Sequence, residues 1–306
     1  MTEWIREVPE NLDWLAAWAG GTPFARLLGM RLDDLSGDRA RMSLPFRKES
    51  SNGDGALHGG VGASLITTSA GSLARAALGA ESGPWHTAAL QVSYLSAALD
   101  EGLVAEARLL RKGKELSHVE VDVTSQTGKS IAKGLVAVHG RFGADPSPLP
   151  HPVAVADEGG TDPGPMGPFI ASIPFHAALG LSVEHMAGGR SRITMPAQVT
   201  TADEHGVHEG ALLALIDTTG AMAAWAETGP GRYKASTPGI QARVLEAQPA
   251  GDMIGRGRVV HRDRELLFCA VEICEARGGR LVADGTVNYR IVTSDLATTK
   301  PAAKTR

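Results

Sequence analysis

The sequence is poor in cysteine and in aromatic residues, and it has no long hydrophobic run. Only 2 of its 306 residues are cysteines, and 5% are aromatic. Cys269 and Cys274 fall in one predicted strand on opposite faces, which predicts neither a disulfide nor a metal-binding CxxC pair. No stretch reaches the roughly 18 uncharged apolar residues that a membrane span requires, and the start lacks the apolar core of a signal peptide. We therefore expect a cytoplasmic protein with no membrane contact.

A strong excess of one charge is also missing. The chain has 30 Lys and Arg against 34 Asp and Glu, which gives a net charge of −4, and no basic block is longer than a few residues. This balance is atypical of nucleic-acid-binding proteins, so we expect no nucleic-acid partner. The histidines form no HxxxH or HxH pair, and His205 with His208 lacks an evident third ligand, so we expect no metal site.

An internal repeat covers most of the chain. His58-Gly59-Gly60 falls on His208-Glu209-Gly210 at an offset of 150, and an offset of 151 takes over at both flanks. A unit this long indicates a duplicated domain rather than a solenoid repeat. Further equivalent pairs are Thr87 with Thr237, Gln91 with Gln241, Phe24 with Phe175, and Gly134 with Gly285.

The repeat divides the chain into five predicted parts. The two copies span 22–141 and 169–293, and the segment 142–168 between them is rich in Pro and Gly, which predicts a linker. Residues 294–306 predict a polar tail. Residues 1–21 have no counterpart in the second copy and carry Trp4, Trp14 and Trp18 at helical spacing. That segment is typical of a packing helix, with a lid or a partner-binding segment as the alternative.

Each copy has the same order of predicted elements. An apolar run without strand alternation, 58–78 in the first copy and 208–226 in the second, predicts a helix of about five turns. Four strand-like runs follow, separated by turn signals. They span 86–96, 103–112, 116–126 and 130–140 in the first copy, and 237–246, 252–262, 265–276 and 280–292 in the second. The pattern predicts an α+β class in which a long helix covers one face of an antiparallel sheet.

One ionisable residue interrupts the apolar second helix. Asp217 is the sole charged residue between Ala211 and Trp225, where an unpaired carboxylate costs on the order of several kcal/mol unless donors or a cleft satisfy it. The first copy has Thr67 at the equivalent position, so the fold does not require an acid. A catalytic acid in one working site explains this difference. An aspartate that bonds a neighbouring helix turn, or that faces solvent at an interface, is the alternative.

The helix starts carry complementary chemistry. In the first copy, His58-Gly59-Gly60 exposes backbone N–H groups where a helix has unsatisfied donors, which suits an oxyanion site. Asn52 supplies an amide just upstream. The second copy has Asp203 in place of Asn52 and Glu209 in place of Gly59. Because an acid there opposes developing negative charge, the first copy has the better oxyanion loop and the second has the better acid.

This combination resembles a known family. The pattern Asn52-x-x-Gly55-x-x-His58-Gly59-Gly60, with a long helix and four strands after it, resembles the hotdog-fold acyl-CoA thioesterases of the phenylacetate-pathway branch. That family carries an acid nine residues after the histidine, as Asp217 follows His208. The resemblance covers both copies and implies two tandem hotdog domains fused into a pseudo-dimer. It also implies an acyl-CoA substrate, with coenzyme A as part of the substrate and no separate cofactor, and a homo-oligomer of fused pairs.

In this family each site joins the Asn and His-Gly loop of one hotdog with the helix acid of the other. The resemblance thus implies that Asn52, His58 and Gly59 join Asp217 in one competent site. Gly59 would polarise the thioester carbonyl, and Asp217 would attack it directly or activate a water. Asn52 would orient the water or the carbonyl. His58 would orient the loop or serve a purely structural role.

The reciprocal site is expected to be degenerate. It would combine Asp203, His208 and Glu209 with Thr67, and it lacks both the family asparagine and the family acid. Gly60, Thr218 and Thr237 are candidate substrate contacts, although such threonines are also typical of packing. Basic residues at hairpin turns could hold the phosphates of coenzyme A, although solvated turns attract them too. These residues are Arg111, Lys112, Lys114, Arg262 and Arg264.

Three other functions remain open from the sequence. A hotdog hydratase or dehydratase would share the fold but shows other signatures. A noncatalytic acyl-CoA binding or sensing protein would explain the degenerate second site. A structural module could join other chains through its sheet edges. The sequence does not identify the acyl group.

Overall fold

A computed structural model describes residues 13–143, 160–247 and 249–292. Trp4, the middle of the predicted linker and the predicted polar tail lie outside these ranges. No helix in the described ranges is long and apolar enough to cross a membrane.

The first copy is built on one long helix. Its helices are α1 (Asp13–Gly21), α2 (Pro23–Leu28) and α3 (Gly59–Leu78). Its strands are β1 (Arg31–Ser36), β2 (Arg39–Leu44), β3 (Trp85–Tyr94), β4 (Leu103–Lys112), β5 (Leu116–Ser125) and β6 (Ser130–Gly140).

The second copy repeats this order. Its helices are α4 (Gly167–Ser172), α5 (Pro174–Ala178) and α6 (Glu209–Thr228). Its strands are β7 (Ser182–Ala187), β8 (Arg190–Met195), the two-residue pair β9 (Ala202–Asp203) and β10 (Gly206–Val207), β11 (Lys234–Val244), β12 (Met253–Asp263), β13 (Leu266–Glu275) and β14 (Leu281–Val292).

One antiparallel sheet of twelve strands joins the copies. Its order is β1-β2-β4-β5-β6-β3-β11-β14-β13-β12-β8-β7, so the second half mirrors the first. The copies meet where β3 pairs with β11, with Gln91 opposite its equivalent Gln241. Since these two strands are antiparallel, Thr87 and Thr237, near their starts, lie at opposite ends of the sheet. The fold is therefore an internal pseudo-dimer with two equivalent places for a site.

Each long helix is capped in the same way. The Nδ1 atoms of His58 and His208 accept hydrogen bonds from the N–H groups of Gly60 and Gly210, at 2.9 and 3.0 Å. A side-chain acceptor at this position satisfies one of the free donors at a helix start. The helices end at Gly79 and Gly229, which have φ of 94° and 84°. Glycine adopts such a backbone without the steric cost that a Cβ brings.

The helices pack closely against the sheet and against each other. A Cβ at Gly134 of β6 would lie 2.4 Å from Ile66 of α3. A Cβ at Gly60 would lie 2.7 Å from the Cα of Ala214, so α3 and α6 touch almost backbone to backbone. Ser64 bridges them by donating to the Gly210 carbonyl at 2.9 Å. The pairs 60/214 and 64/210 show that the helices run antiparallel.

The sequence patterns located both long helices to within two residues and the eight long strands to within three. They missed the hairpins β1–β2 and β7–β8. The reason is that β1 has no buried residue to mark an inner face, and β7 buries only two adjacent ones. The end of the predicted linker also packs on the second copy, because Asp162 bridges to His185 of β7 and α4 begins at Gly167.

The contact of α6 with β14 predicts a stability effect. A Cβ at Gly220 would lie 2.5 Å from the Cβ of Val287. Gly220→Ala is therefore expected to lower the free energy of unfolding by about 1–3 kcal/mol, despite the better helix propensity of alanine. Gly21→Ala is the control, because nothing lies within 4 Å of a Cβ there. Urea unfolding measures both, and equal stability of the two variants would contradict this packing.

Candidate active site

The antiparallel helix pair places the start of each long helix against the middle of the other. The first site consists of His58, Gly59 and Gly60 at the start of α3, together with Asp217 of α6 and Thr237 of β11. The second site is the equivalent group: His208, Glu209 and Gly210 at the start of α6, together with Thr67 of α3 and Thr87 of β3. Each site thus takes residues from both copies.

In the first site, Asp217 is buried and accepts a side-chain hydrogen bond on one oxygen. The Thr237 hydroxyl donates to its Oδ1 at 2.9 Å, and its Oδ2 lies 3.5 Å from Nδ1 of His58. The residue is only 3% exposed. Burial raises the pKa of this carboxyl from 3.8 to about 6, and the Thr237 hydroxyl, His176 and the Gly60 N–H oppose that rise. Because the pKa stays below 7, most of the carboxyl is ionised at neutral pH and can accept a proton.

A chain of hydrogen bonds fixes the proton on each histidine next to Asp217. A carbonyl can only accept, so His176, with Nδ1 2.9 Å from the Ile170 oxygen, carries its proton on Nδ1. A backbone N–H can only donate, so His58 accepts from Gly60 on Nδ1 and carries its proton on Nε2. That proton points at Nε2 of His176, 3.1 Å away. Burial lowers the pKa of His58 to about 4 and that of His176 to about 3, so both stay neutral at pH 7.

Gly59 packs against the carboxylate of Asp217. A Cβ at this position would lie 2.6 Å from Oδ2 of Asp217, so no other residue fits without moving the acid. Among the described residues, none accepts a hydrogen bond from the Gly59 N–H, which lies at the first position of α3. Tyr94 donates to the Gly59 carbonyl at 2.6 Å and fixes the peptide on its other side. Burial and the charge of Asp217 raise the pKa of Tyr94, so it stays a donor.

Two further predicted residues are not bonded to the acid. Asn52 lies on the exposed loop before α3, and its side chain makes no hydrogen bond within the described ranges. Thr218 is buried, and its hydroxyl lies 3.3 Å from Nε2 of His176 rather than against Asp217.

The second site also holds a carboxylate, although Thr67 replaces the helix acid. Glu209 accepts hydrogen bonds from the Thr87 N–H at 3.0 Å and from the Thr87 hydroxyl at 2.7 Å. The Thr67 and Thr87 hydroxyls lie 2.7 Å apart. Burial raises the pKa of Glu209. Asp203 is exposed and accepts from the His205 N–H at 2.8 Å.

The two sites therefore receive their carboxylates from opposite helices. In the first site Gly59 leaves room for Asp217, and in the second Thr67 leaves room for Glu209. Each carboxylate accepts from the hydroxyl of an equivalent threonine, Thr237 or Thr87. The expectation that Glu209 opposes negative charge at the helix start thus needs refinement, because its carboxylate crosses to Thr87 of β3.

The basic turns lie at two ends of the sheet, and all five residues are exposed: Arg111, Lys112, Lys114, Arg262 and Arg264. Strand register places the turn between β12 and β13 at the end where Thr237 lies. The turn between β4 and β5 lies at the other end, with Thr87. Arg262 and Arg264 therefore belong to the first-site end. No group of three or more metal-binding side chains occurs in the described part of the chain.

The sequence reasoning missed His176 and Tyr94. The equivalent positions in the other copy are Ala25 and Val244, so both residues differ between the copies as Asp217 does. A search for positions at which one copy has a polar residue and the other has an apolar one would have found both residues.

Comparisons with known proteins identify the family of this chain. The model of the thioesterase superfamily matches residues 54–132. Human acyl-coenzyme A thioesterase 13 is 32% identical over 143 residues, which cover 45% of this chain and 96% of that protein. The chain belongs to the thioesterase superfamily. This membership confirms the prediction of a thioester hydrolase.

Solved structures show that this thioesterase has the hotdog fold twice. An acyl-CoA thioesterase II from Mycobacterium marinum matches with a TM-score of 0.65 and 11% identity, over 89% of this chain and 99% of that one. A hot dog fold protein from Alicyclobacillus acidocaldarius matches with a TM-score of 0.59 and 18% identity, over 85% and 96%. The predicted tandem hotdog architecture is therefore confirmed.

Burial of the acid predicts a pH-dependent stability cost in this thioesterase. The raised pKa of Asp217 means that the folded protein binds more protons than the unfolded chain between about pH 4 and 6, so the free energy of unfolding falls across that window as pH rises. Asp217→Asn removes the charge and is expected to be more stable than the unmodified protein at pH 7 by up to about 3 kcal/mol.

The gain should fall below about 1 kcal/mol near pH 4, where the folded carboxyl is protonated and only about half of the unfolded carboxyl is ionised. Urea unfolding at pH 4 and pH 7 measures it, with Asp203→Asn as the control at an exposed carboxylate. A gain of equal size at both pH values would contradict a buried charge at position 217.

Proposed function

We propose that the protein hydrolyses an acyl-CoA thioester to a free acid and coenzyme A, and that it does so at the first site. The observation that carries the proposal is the carboxylate of Asp217, placed beside the free N–H of Gly59 at the start of α3. The name of the human relative supports coenzyme A as the thiol part of the substrate. The phenylacetate-pathway branch stays a prediction.

The helix start supplies the electrophilic half of the reaction. The Gly59 N–H donates to the thioester oxygen, and the positive end of the α3 dipole favours the negative charge that develops there. Loss of one such donor typically costs about a hundredfold to a thousandfold in rate. The hydrogen bond from Tyr94 to the Gly59 carbonyl fixes the next peptide, between Gly59 and Gly60.

Asp217 supplies the nucleophilic half. As a general base it takes a proton from water while the water oxygen bonds to the carbonyl carbon. The tetrahedral intermediate then collapses, the C–S bond breaks, and the thiolate of coenzyme A leaves and takes up a proton. As a nucleophile it would form an anhydride that water opens. Both routes need the ionised carboxylate, and the Thr237 hydroxyl stabilises that form.

The remaining roles follow from position. Asn52 lies on the exposed loop before α3, where it could order on substrate binding and orient the carbonyl or the water. Arg262 and Arg264 lie at the end of the sheet with the first site and are the better candidates for the coenzyme A phosphates. The group Arg111, Lys112 and Lys114 lies at the end with the second site.

Several wider predictions accompany this proposal. We expect domains at 22–141 and 169–293, a cytoplasmic location, and a homo-oligomer of fused pairs. The open face of the sheet supports association, because Leu110 and Leu135 are 46% and 48% exposed there beside a groove of about 900 Å³.

The single-site proposal predicts opposite results at equivalent positions. Asp217→Asn is expected to lower turnover of acyl-CoA thioesters at least a hundredfold, because the base or nucleophile is lost. Thr67→Ala alters the equivalent position of the second site and is expected to retain most of the activity. Release of free thiol from a panel of acyl-CoA thioesters measures both, with circular dichroism to check folding. Activity that survives Asp217→Asn but not Thr67→Ala would place the chemistry in the second site.

The contact of Thr237 with the acid predicts a shift in pH dependence. The unmodified enzyme should lose kcat/KM as pH falls below about 6, where Asp217 becomes protonated. Thr237→Val removes a hydrogen bond that lowers the pKa of this carboxyl, so the acidic limb of the profile should move to higher pH. Thr87→Val, the matched change in the second site, should leave the limb in place. A profile unmoved by Thr237→Val would show that another group controls the limb.

A further inference from the structure

A cavity of about 280 Å³ opens against the second site. One part of its wall is aromatic and consists of Trp14, Trp18, Phe24 and Trp85, while polar and charged residues that include Asp203 and Glu209 line another part. The rings of Trp14 and Trp85 stack 5.7 Å apart. The volume lies at the low end for pockets that take small organic ligands, which span roughly 300–1,000 Å³. The cavity therefore suits a small ligand with a flat apolar body.

The cavity contains one buried cation that interacts with the Glu209 carboxylate through space but forms no ion pair with it. Arg75, in the last turn of α3, is 9% exposed and lines the cavity. Among the described residues it forms no ion pair and no hydrogen bond, and its Nε is buried without an acceptor. Its guanidinium lies 3.5 Å from the ring centre of Trp18 and 4.8 Å from that of Trp85. Because the two tryptophan rings cover the faces of the guanidinium, only its N–H edge can bind a ligand.

A second buried donor faces the same cavity. His208 accepts the Gly210 N–H on Nδ1, so its proton lies on Nε2. Within the described ranges that Nε2 is buried and has no partner. Phe24 stacks on the ring at 4.9 Å, which fixes its orientation. Both unsatisfied groups are donors, and leaving a buried donor without an acceptor is unfavourable. A ligand group that satisfies them must therefore be an acceptor.

The fold itself does not require either unsatisfied donor. The position equivalent to Arg75 in the second copy is Trp225, whose indole N–H has a partner in Tyr289 at 3.2 Å. The first-site equivalent of His208 is His58, whose Nε2 lies 3.1 Å from Nε2 of His176. Among the described residues, only the second site pairs a buried guanidinium nitrogen that lacks an acceptor with an unused imidazole donor. This difference points to a ligand rather than to packing.

We propose that this cavity binds a monocarboxylate with a flat apolar body. The carboxylate lies against the N–H edge of Arg75 and the Nε2–H of His208, since a guanidinium edge matches the two oxygens of a carboxylate. The apolar body lies among the tryptophan rings. The nearby Glu209 carboxylate disfavours polyanions such as the phosphates of coenzyme A, so a single negative charge fits best. The second site is then a binding site for a free acid, separate from the proposed hydrolysis.

Calorimetric titration of the full chain at pH 7 tests this inference. The probes are benzoate, phenylacetate and 4-phenylbutyrate, each beside its neutral amide. At least one acid is expected to bind with one-to-one stoichiometry and at least tenfold more tightly than its amide. Tryptophan fluorescence should change in parallel, since Trp14, Trp18 and Trp85 line the cavity. Failure of all three acids to bind at millimolar concentration, or equal binding of acid and amide, would overturn the proposal without using any variant.

Two variants locate the bound acid. Arg75→Met keeps an apolar stem and removes the charge, so it is expected to weaken binding at least tenfold. Asp217→Asn lies in the first site and should leave the affinity within about twofold. Unchanged binding to Arg75→Met, or binding lost in Asp217→Asn, would place the acid elsewhere and refute the assignment. No thioester is present in this titration, so its failure leaves the proposed hydrolysis intact.

Discussion

The near backbone contact of α3 with α6 determines where chemistry can occur in this protein. Glycine at position 60 lets the helices touch, and their antiparallel course sets each helix start against the middle of the other. Free N–H groups and the positive end of a helix dipole thus face a side chain from the other copy. Neither copy holds both halves, so duplication within one chain keeps the two halves of the site together.

The same contact explains how the two sites diverged. In a symmetric pair, a change at one position alters both sites, whereas the fused chain can change each copy separately. In the first site, the Gly59 N–H at the start of α3 stays free beside the carboxylate of Asp217. In the second site, Thr67 leaves room for the Glu209 carboxylate to cross. Arg75 and His208, whose Nε2 has no partner within the described ranges, line the cavity there and permit different chemistry. One scaffold therefore presents the proposed hydrolytic site and the proposed cavity for a small acid.

Much of this could be predicted from the sequence because its main signals are local. Helix length, strand alternation and turns follow from neighbouring residues, and Asp217 is conspicuous as a charge in an apolar helix. The same rule applied to α3 singles out Arg75, which is its one charged residue. His176 and Tyr94 act through contacts over 118 and 35 residues of chain, which no local pattern shows. The crossing of Glu209 to Thr87 likewise depends on how the helices meet the sheet.

The most direct test of the composite site is a crystal structure with an acyl-CoA analogue in which a methylene group replaces the thioester sulfur. We predict that its ketone oxygen lies within hydrogen-bond distance of the Gly59 N–H, with the carboxylate of Asp217 beside the carbonyl carbon. An analogue whose ketone lies instead between Glu209 and Thr67, with the first site vacant, would contradict the account.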